Sequence, residues 1–274
     1  LILSTGEETH RKEADFHDAW AESAASGRVD VDAAFESPLA LENRFILGLL
    51  GDLRGKRLLD VGAGLGESSV YFAKRGADVT ATDISPKMLE LAESLARQHG
   101  VSISTKVAAS ESASFEPDSF DVVYIANTIH HSTDKSALIR NAYRYLKPGG
   151  IFVSWDPLRY NPVINIYRRM ATEVRTEDER PLDVSDFKLI QNFFPDARSR
   201  FFWITGLAIF GKYYLIDRVH PNADRYWKRI YRETNRSVAW WRPLGWIDAV
   251  LTRIPGVRWL SWNVVIHARK PVGR

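Results

Sequence analysis

Three glycines stand at alternate positions, Gly62, Gly64 and Gly66, just after the acid Asp60, in the stretch LLDVGAGLGESS. A strand that turns directly into a helix leaves backbone N–H groups free at the helix start. In an open α/β sheet, ligands sit at the carboxyl ends of such strands. Glycine permits the tight turn and lets a ligand approach the backbone. The stretch therefore reads as a ligand-binding turn. A second acid, Asp83, closes the next apolar run, DVTATD, where a carboxylate can accept both hydroxyls of a ribose. That acid alone suits a nicotinamide dinucleotide as well as any other adenosine ligand. The dinucleotide fingerprint G-x-G-x-x-G, however, needs a glycine where this chain has Glu67, and the Gly-Lys-Ser/Thr of a phosphate loop is absent.

The elements that must position these residues follow from periodicity. Residues 11–27 predict a helix, with Phe16, Trp20 and Ala24 at spacing four, and 39–52 predict a second. RLLDVGA reads as a buried strand, ESSVYFAKRG as a helix and ADVTATDIS as a strand. SPKMLELAESLARQHG reads as a helix with Ser85 as its N-cap, Pro86 in its first position and Gly100 as its stop. VSISTKVAAS predicts a strand, SFDVVYIANTIHH a strand running into a loop, DKSALIRNAYRYLKPGG a helix and IFVSWDP a strand. Strands and helices alternating at this length imply right-handed crossovers and a doubly wound, mostly parallel sheet. After Pro157 the alternation breaks. SDFKLIQNFFP predicts a helix, RSRFFWITGLAIF and LSWNVVIHARK predict strands, and a helical, aromatic insert lies at 211–258. The expected organisation is cap helices over 1–52, a Rossmann-like ligand-binding core over 53–157, a lid segment, helix and strand over 158–210, the insert over 211–258, and a last strand and tail over 259–274.

Composition narrows the class. The 274 residues include no cysteine, so disulfides, thiolate metal sites and a cysteine nucleophile are excluded. No stretch reaches the roughly 18 to 20 apolar residues of a membrane span, and LILSTGEETHRKEADFHD is too polar for a signal peptide. A cytoplasmic location is the default expectation. Charge is uneven. Residues 1–155 hold 16 basic against 22 acidic side chains, and residues 156–274 hold 21 against 12. Eight of the nine tryptophans lie at Trp155 or later. This divides the chain into an acidic core and a basic, aromatic elaboration, whose alternative roles are an anionic or amphiphilic substrate surface, a membrane-peripheral face, or plain packing and solvation.

With its motifs in this order, the sequence resembles the class I S-adenosylmethionine-dependent methyltransferases, and within them the small-molecule group called methyltransferase type 11 or UbiE-like. LLDVGAGLG is similar to their first motif and ADVTATDIS to the acidic motif that follows. FDVVYIANTIHH resembles the strand and loop that reach the methionine end of the cofactor, and YLKPGGIFVSWDP the motif leading into the fifth strand. The resemblance covers roughly residues 40–157. It implies a seven-stranded sheet with S-adenosylmethionine as cofactor, Gly62, Gly64 and Gly66 close to its methionine part, and Asp60 orienting the loop or meeting the amino group. It places Asp83 on the ribose hydroxyls, Ile84 and Met88 along the adenine, and Asn127 near the transferring methyl. Many relatives carry an acid where this chain has Val107-Ala108-Ala109-Ser110, so Ser110, Glu111 or backbone must serve the adenine amino group.

Methyl transfer from a sulfonium is an in-line displacement governed by alignment. A base is needed only for a protonated nucleophile, and His130 and His131, just beyond Asn127, are the candidates. No metal is expected, since neither H-x-x-x-H nor a paired-carboxylate cluster occurs. No nucleic-acid partner is expected either, because the loop A-N-T-I-H-H differs from the N-P-P-Y type. The acceptor is expected to be a small molecule methylated at oxygen: a natural product, or a quinone-like, lipid-linked or sugar compound. Trp20, Arg168 and Arg169 are candidates for contacting it, with Arg175 as a further member of a carboxylate or phosphate clamp. Trp227, Trp240, Trp241 and Trp246 could line a pocket, form a homodimer interface or touch lipid. The competing readings are an NAD(P)-dependent oxidoreductase on the same sheet and a non-catalytic cofactor-binding or interaction protein.

Overall fold

The computed structural model describes residues 5–24, 30–173 and 179–272. Three helices precede the sheet: α1 (Thr5–Ala24), α2 (Ala33–Glu36) and α3 (Leu41–Leu50). Strands and helices then alternate through β1 (Arg57–Val61), α4 (Glu67–Lys74), β2 (Asp78–Asp83), α5 (Pro86–Gln98), β3 (Ser104–Val107), β4 (Phe120–Ala126), α6 (Lys135–Tyr145) and β5 (Leu146–Pro157). The remainder comprises α7 (Pro162–Met170), α8 (Val184–Phe193), β6 (Arg198–Phe202), α9 (Ala208–Leu215), α10 (Tyr226–Arg232), α11 (Thr234–Leu251) and β7 (Asn263–Arg269).

The strands form one seven-stranded sheet in the order β3-β2-β1-β4-β5-β7-β6. The first five are parallel, and β7 runs antiparallel to both β5 and β6. The chain winds outward from β1 to β3 and then crosses back to β4. Where the order reverses, between β1 and β4, a crevice opens at the carboxyl ends of the strands. β1 and β4 are buried on both faces, as their unbroken apolar runs require. On one face Leu138, Ile139, Ile190 and Phe194 pack against the sheet, and on the other Phe35, Ile46, Val70 and Phe72. Each such fully buried side chain contributes about 1.5–3 kcal/mol of transfer free energy. This two-sided core fixes the strand ends on which the site is built.

Several element boundaries differ from the sequence-based expectations: LKPGG, expected to close a helix, opens β5 at Leu146, and LSWNVVIHARK is strand only over Asn263–Arg269. The first helix starts earlier, at Thr5, and ends at Ala24. Residues 25–27 of the expected helix lie outside the described residues. VSISTKVAAS supplies only four strand residues, Ser104–Val107. RSRFFWITGLAIF is strand only as far as Phe202. Trp203 then adopts a φ of 67°, and the chain coils through a single helical turn at Thr205–Leu207 into α9. The cause is Asp248 of α11, buried beneath the turn. Its carboxylate accepts from the backbone N–H groups of Ile204 (3.1 Å), Thr205 (2.7 Å) and Gly206 (3.1 Å) and from the Thr205 hydroxyl (2.7 Å). A strand could not present three successive N–H groups to one acceptor.

Helix α1 lies over the carboxyl ends of the strands. His10 reaches Glu111 (2.9 Å), the Ser85 hydroxyl donates to Asp18, and Lys87 pairs with Glu22 (2.6 Å). Helices α7, α9 and α10 form a separate apolar cluster around Tyr213, Phe210 and Tyr226. Among the described residues no helix is long and apolar enough to cross a membrane.

Candidate active site

A cavity of about 910 Å³ opens at the switch point between α1, the glycine turn, the end of β4 and α10. The three glycines perform different tasks. Gly62 has φ 74°, and a Cβ there would stand 2.1 Å from the Thr128 hydroxyl oxygen, so glycine is needed for the close approach of the β1 and β4 loops. Gly64 has φ 54° and nothing within 4 Å of its Cβ position, which leaves bare backbone fronting the cavity. Gly66 does not line the cavity. A Cβ there would lie 2.5 Å from the Ala92 Cβ, so it permits α4 to pack on α5 instead.

Asp60 is buried at the cavity floor and accepts from the Ser69 hydroxyl (2.6 Å), tying the strand end to the first turn of α4. Burial lifts its carboxyl to about 7, against the lowering effect of the Ser69 bond. Asp83 accepts from the N–H of Gly64 (2.9 Å) on one oxygen and of Ser85 (2.9 Å) on the other, holding the turn against β2. Ile84, Ser110 and Asn127 line the cavity. Asn127 has φ 51° and donates its backbone N–H to Trp155 O (2.8 Å), which turns its side chain out of the sheet. Met88 does not line the cavity. Its N–H is capped by the Ser85 hydroxyl, and its side chain is buried beneath Leu65 and Ala21. The third position of the helix points into the core rather than toward the crevice.

The His130–His131 pair is divided in its chemistry. His130 is buried, and Asp156 Oδ1 faces its ring Nδ1 at 2.7 Å and accepts its backbone N–H at 3.2 Å. Burial and the neighbouring His131 push His130 well below the ordinary histidine value, while burial raises Asp156 to about 8. His131 moves the other way. Burial acts to lower it, but the Glu13 carboxylate, 3.2 Å from its Nδ1, outweighs burial and raises it. His17, one turn along α1 from Glu13, lies edge-on to His131 with ring centroids 5.9 Å apart. One ligand atom each from His130, His131 and Glu179 lie within 4.8 Å of one another, a grouping that no spacing in the sequence announces.

The sequence reading missed Asp156, Glu13 and His17. Asp156 lay within a quoted strand. His10, Glu13 and His17 share one helical face through their spacing of three and four, a signal that was legible. Glu111 is a further hub. Burial would raise it, but hydrogen bonds from Thr133, His10 and Ser110 bring it down to about 2.

Of the acceptor candidates, Trp20 and Arg168 line the cavity. Arg168 donates to Leu158 O (3.1 Å) and Asn165 Oδ1 (2.9 Å). Arg169 does not line it; it borders a neighbouring groove with Lys135 and Asp186. Arg168 borders that groove as well, so the two arginines meet there and Arg168 alone also reaches the cavity. Arg175 lies outside the described residues. The tryptophans divide: Trp227 lines the cavity, Trp241 packs on Trp203, Trp246 is exposed, and the side chain of Trp240 is outside what is described. Glu67, which breaks the dinucleotide fingerprint, pairs with Lys228 of α10 at 2.9 Å.

Residues 59–154 match the methyltransferase domain family. The chain is 34% identical over 154 residues to a ubiquinone biosynthesis O-methyltransferase of Xanthomonas euvesicatoria, covering 53% of this chain and 64% of that one. It is 39% identical over 111 residues to the enzyme of the same name from Pseudomonas entomophila, covering 40% and 47%. The chain thus spans about half to two thirds of the length of the curated relatives it matches. Among solved structures, Haemonchus contortus phosphoethanolamine N-methyltransferase 2, in complex with S-adenosyl-L-methionine, superposes with a TM-score of 0.61 at 20% identity, covering 98% of this chain and 60% of that one. The cyclase SpnF superposes at 0.59 and 18% identity, covering 100% and 98%. At these identities the superpositions show a shared Rossmann-like fold.

Proposed function

From the premise that this chain carries a methyltransferase domain at residues 59–154, we propose that it transfers a methyl group from S-adenosylmethionine to a hydroxyl oxygen of a small-molecule acceptor. The observation that carries the reading is the pairing, across one cavity, of an open glycine turn with a histidine backed by a buried carboxylate. The bare backbone at Gly64 and the acid at the end of β2 fit an adenosine ligand. Asp83 and Ile84 would hold its nucleoside, and Asp60 and Asn127 its amino-acid end. Ser110, held by Glu111, would meet the adenine edge.

When bound, S-adenosylmethionine supplies an electrophilic methyl on a sulfonium sulfur that leaves as a neutral thioether. The rest is the work of this chain. His130 uses Nε2 to take the proton of the acceptor hydroxyl as the O–C bond forms, and Asp156, behind it, steadies the imidazolium at Nδ1. The pair is competent only after losing its second proton. With two protons, Nε2 already bears one; with one, that proton sits between Nδ1 and Asp156 and leaves Nε2 free. Helix α1 covers the reacting end and excludes water through Glu13, His17 and Trp20.

Incubation with labelled S-adenosylmethionine and a panel of catechols, hydroxylated quinones and sugars tests the reading. It is supported by label in an ether product and contradicted by label only on amines or carbon. The outer surface bears exposed Leu215 and Ile216 at the end of α9 and Trp246 and Val250 on α11, which packs against it; this supports contact with a lipid surface. Flotation with anionic vesicles at low salt supports this, and protein remaining in solution contradicts it.

A further inference from the structure

Helix α10 closes the cavity above the glycine turn, and the segment that carries it is rich in cations. Lys228 pairs with Glu67 (2.9 Å), Arg229 with Asp217 (3.0 Å) and Glu233 (3.1 Å), and Arg232 with Asp224 (2.5 Å). Arg225, at the start of the helix, differs. Among the described residues no acid pairs with it and no acceptor takes its side-chain N–H groups. Its guanidinium carbon instead sits 3.9 Å from the centroid of the Trp20 ring. Arg225 and Trp20 both line the cavity, and burial lowers the arginine. A guanidinium seated over an aromatic face has its donor fork free at the edge, where it can take a planar, two-oxygen anion.

We propose that Arg225, seated on Trp20, is the receptor for a ligand carboxylate in this cavity. The inference rests on the methyltransferase reading and adds the chemistry of one ligand end. Its position limits the source. Trp20 packs against Leu65 of the glycine turn, which puts Arg225 on the cofactor side. Trp20 also reaches His130 through His17 and His131, with centroid separations of 5.8, 5.9 and 4.1 Å, which leads to the acceptor side. The carboxylate therefore belongs either to the amino-acid end of the cofactor or to an acidic acceptor lying along this row of rings.

Calorimetric titration of the full chain separates the two. The variants are Arg225→Met, which keeps the stem on Trp20, and Arg225→Lys, which keeps charge without the fork. The ligands are S-adenosylhomocysteine, methylthioadenosine (which lacks the amino-acid end) and, on protein loaded with S-adenosylhomocysteine, 3,4-dihydroxybenzoate against catechol. Loss of one charge-assisted bond pair corresponds to about 10- to 100-fold weaker binding. If the carboxylate is the cofactor's, Arg225→Met loses this factor for S-adenosylhomocysteine and keeps methylthioadenosine, with Arg225→Lys in between. If it is the acceptor's, both nucleosides are unchanged and the preference for 3,4-dihydroxybenzoate over catechol disappears. Unchanged binding of all four ligands overturns the proposal while leaving the methyltransferase reading intact. Wild type that binds neither nucleoside overturns that reading instead.

Discussion

Replacing Asp156 by Asn tests the base directly, because the substitution keeps the shape and removes the charge. Asp156 does not line the cavity, yet its Oδ1 holds both the ring Nδ1 of His130 (2.7 Å) and its backbone N–H (3.2 Å). An amide oxygen can keep the backbone bond. It cannot stabilise the imidazolium that forms when Nε2 takes the acceptor proton. General acid–base catalysis is worth roughly 10²- to 10⁴-fold, so methyl transfer should fall at least about 100-fold, while S-adenosylhomocysteine affinity stays the same. The pH dependence carries the same information. Burial raises Asp156 to about 8, so the wild-type pair sheds its second proton near that pH. Below it the rate falls about tenfold per unit, and above it the rate is level. In Asp156→Asn this step disappears. Initial rates from pH 6 to about 10, with ¹⁵N-histidine spectra reporting which ring nitrogen of His130 is protonated, give both readouts. Full turnover in the variant, or a wild-type rate independent of pH across this window, would refute the reasoning.

Other outcomes follow from the same geometry. Gly66→Ala should destabilise the fold by about 2–4 kcal/mol, because it adds a contact too close to the Ala92 backbone to a left-handed φ. Gly64→Ala should cost only about 1 kcal/mol and instead weaken S-adenosylhomocysteine, which melting curves and titration will distinguish. Burial raises Asp60 to about 7, so between about pH 4 and pH 7 the folded state binds more protons at this site than the unfolded state, and stability falls as pH rises. Asp60→Asn should remove that decline, up to about 1.4 kcal/mol per pH unit, in urea titrations at pH 5 and about 7.5. Chelation with EDTA should leave methyl transfer unchanged; lost activity restored by one divalent cation would assign His130, His131 and Glu179 to a metal instead.

The glycine turn, the acids at 60 and 83 and the alternating core were legible because each is written in neighbouring residues: a turn needs its glycines side by side, and a buried strand needs an unbroken apolar run. What lay hidden depends on pairs far apart in the chain. Glu13 and His131 are separated by 118 positions and His10 and Glu111 by 101, so a cap helix was legible but the residues it meets in the site were not. Asp156 read as the end of a strand, and only the turn that brings His130 back onto it gives it a role. Met88 and Gly66 show the reverse case. Their positions matched the family motif, but side-chain direction on α5 and the approach of α4 to α5 assign them to packing. The late strand failed for a third reason: β-prone residues in WITGLAIF are overruled by one buried acceptor, Asp248.

The most direct test of the central claim is calorimetric titration of the wild type and Asp83→Ala with S-adenosylhomocysteine, NAD and NADP. Asp83 is the only acid at the end of β2, and it holds the Gly64 N–H that shapes the turn. The account predicts binding of S-adenosylhomocysteine alone, weakened at least about tenfold in the variant, as expected for the loss of a charged hydrogen-bond acceptor. Binding of a nicotinamide dinucleotide in its place would contradict it.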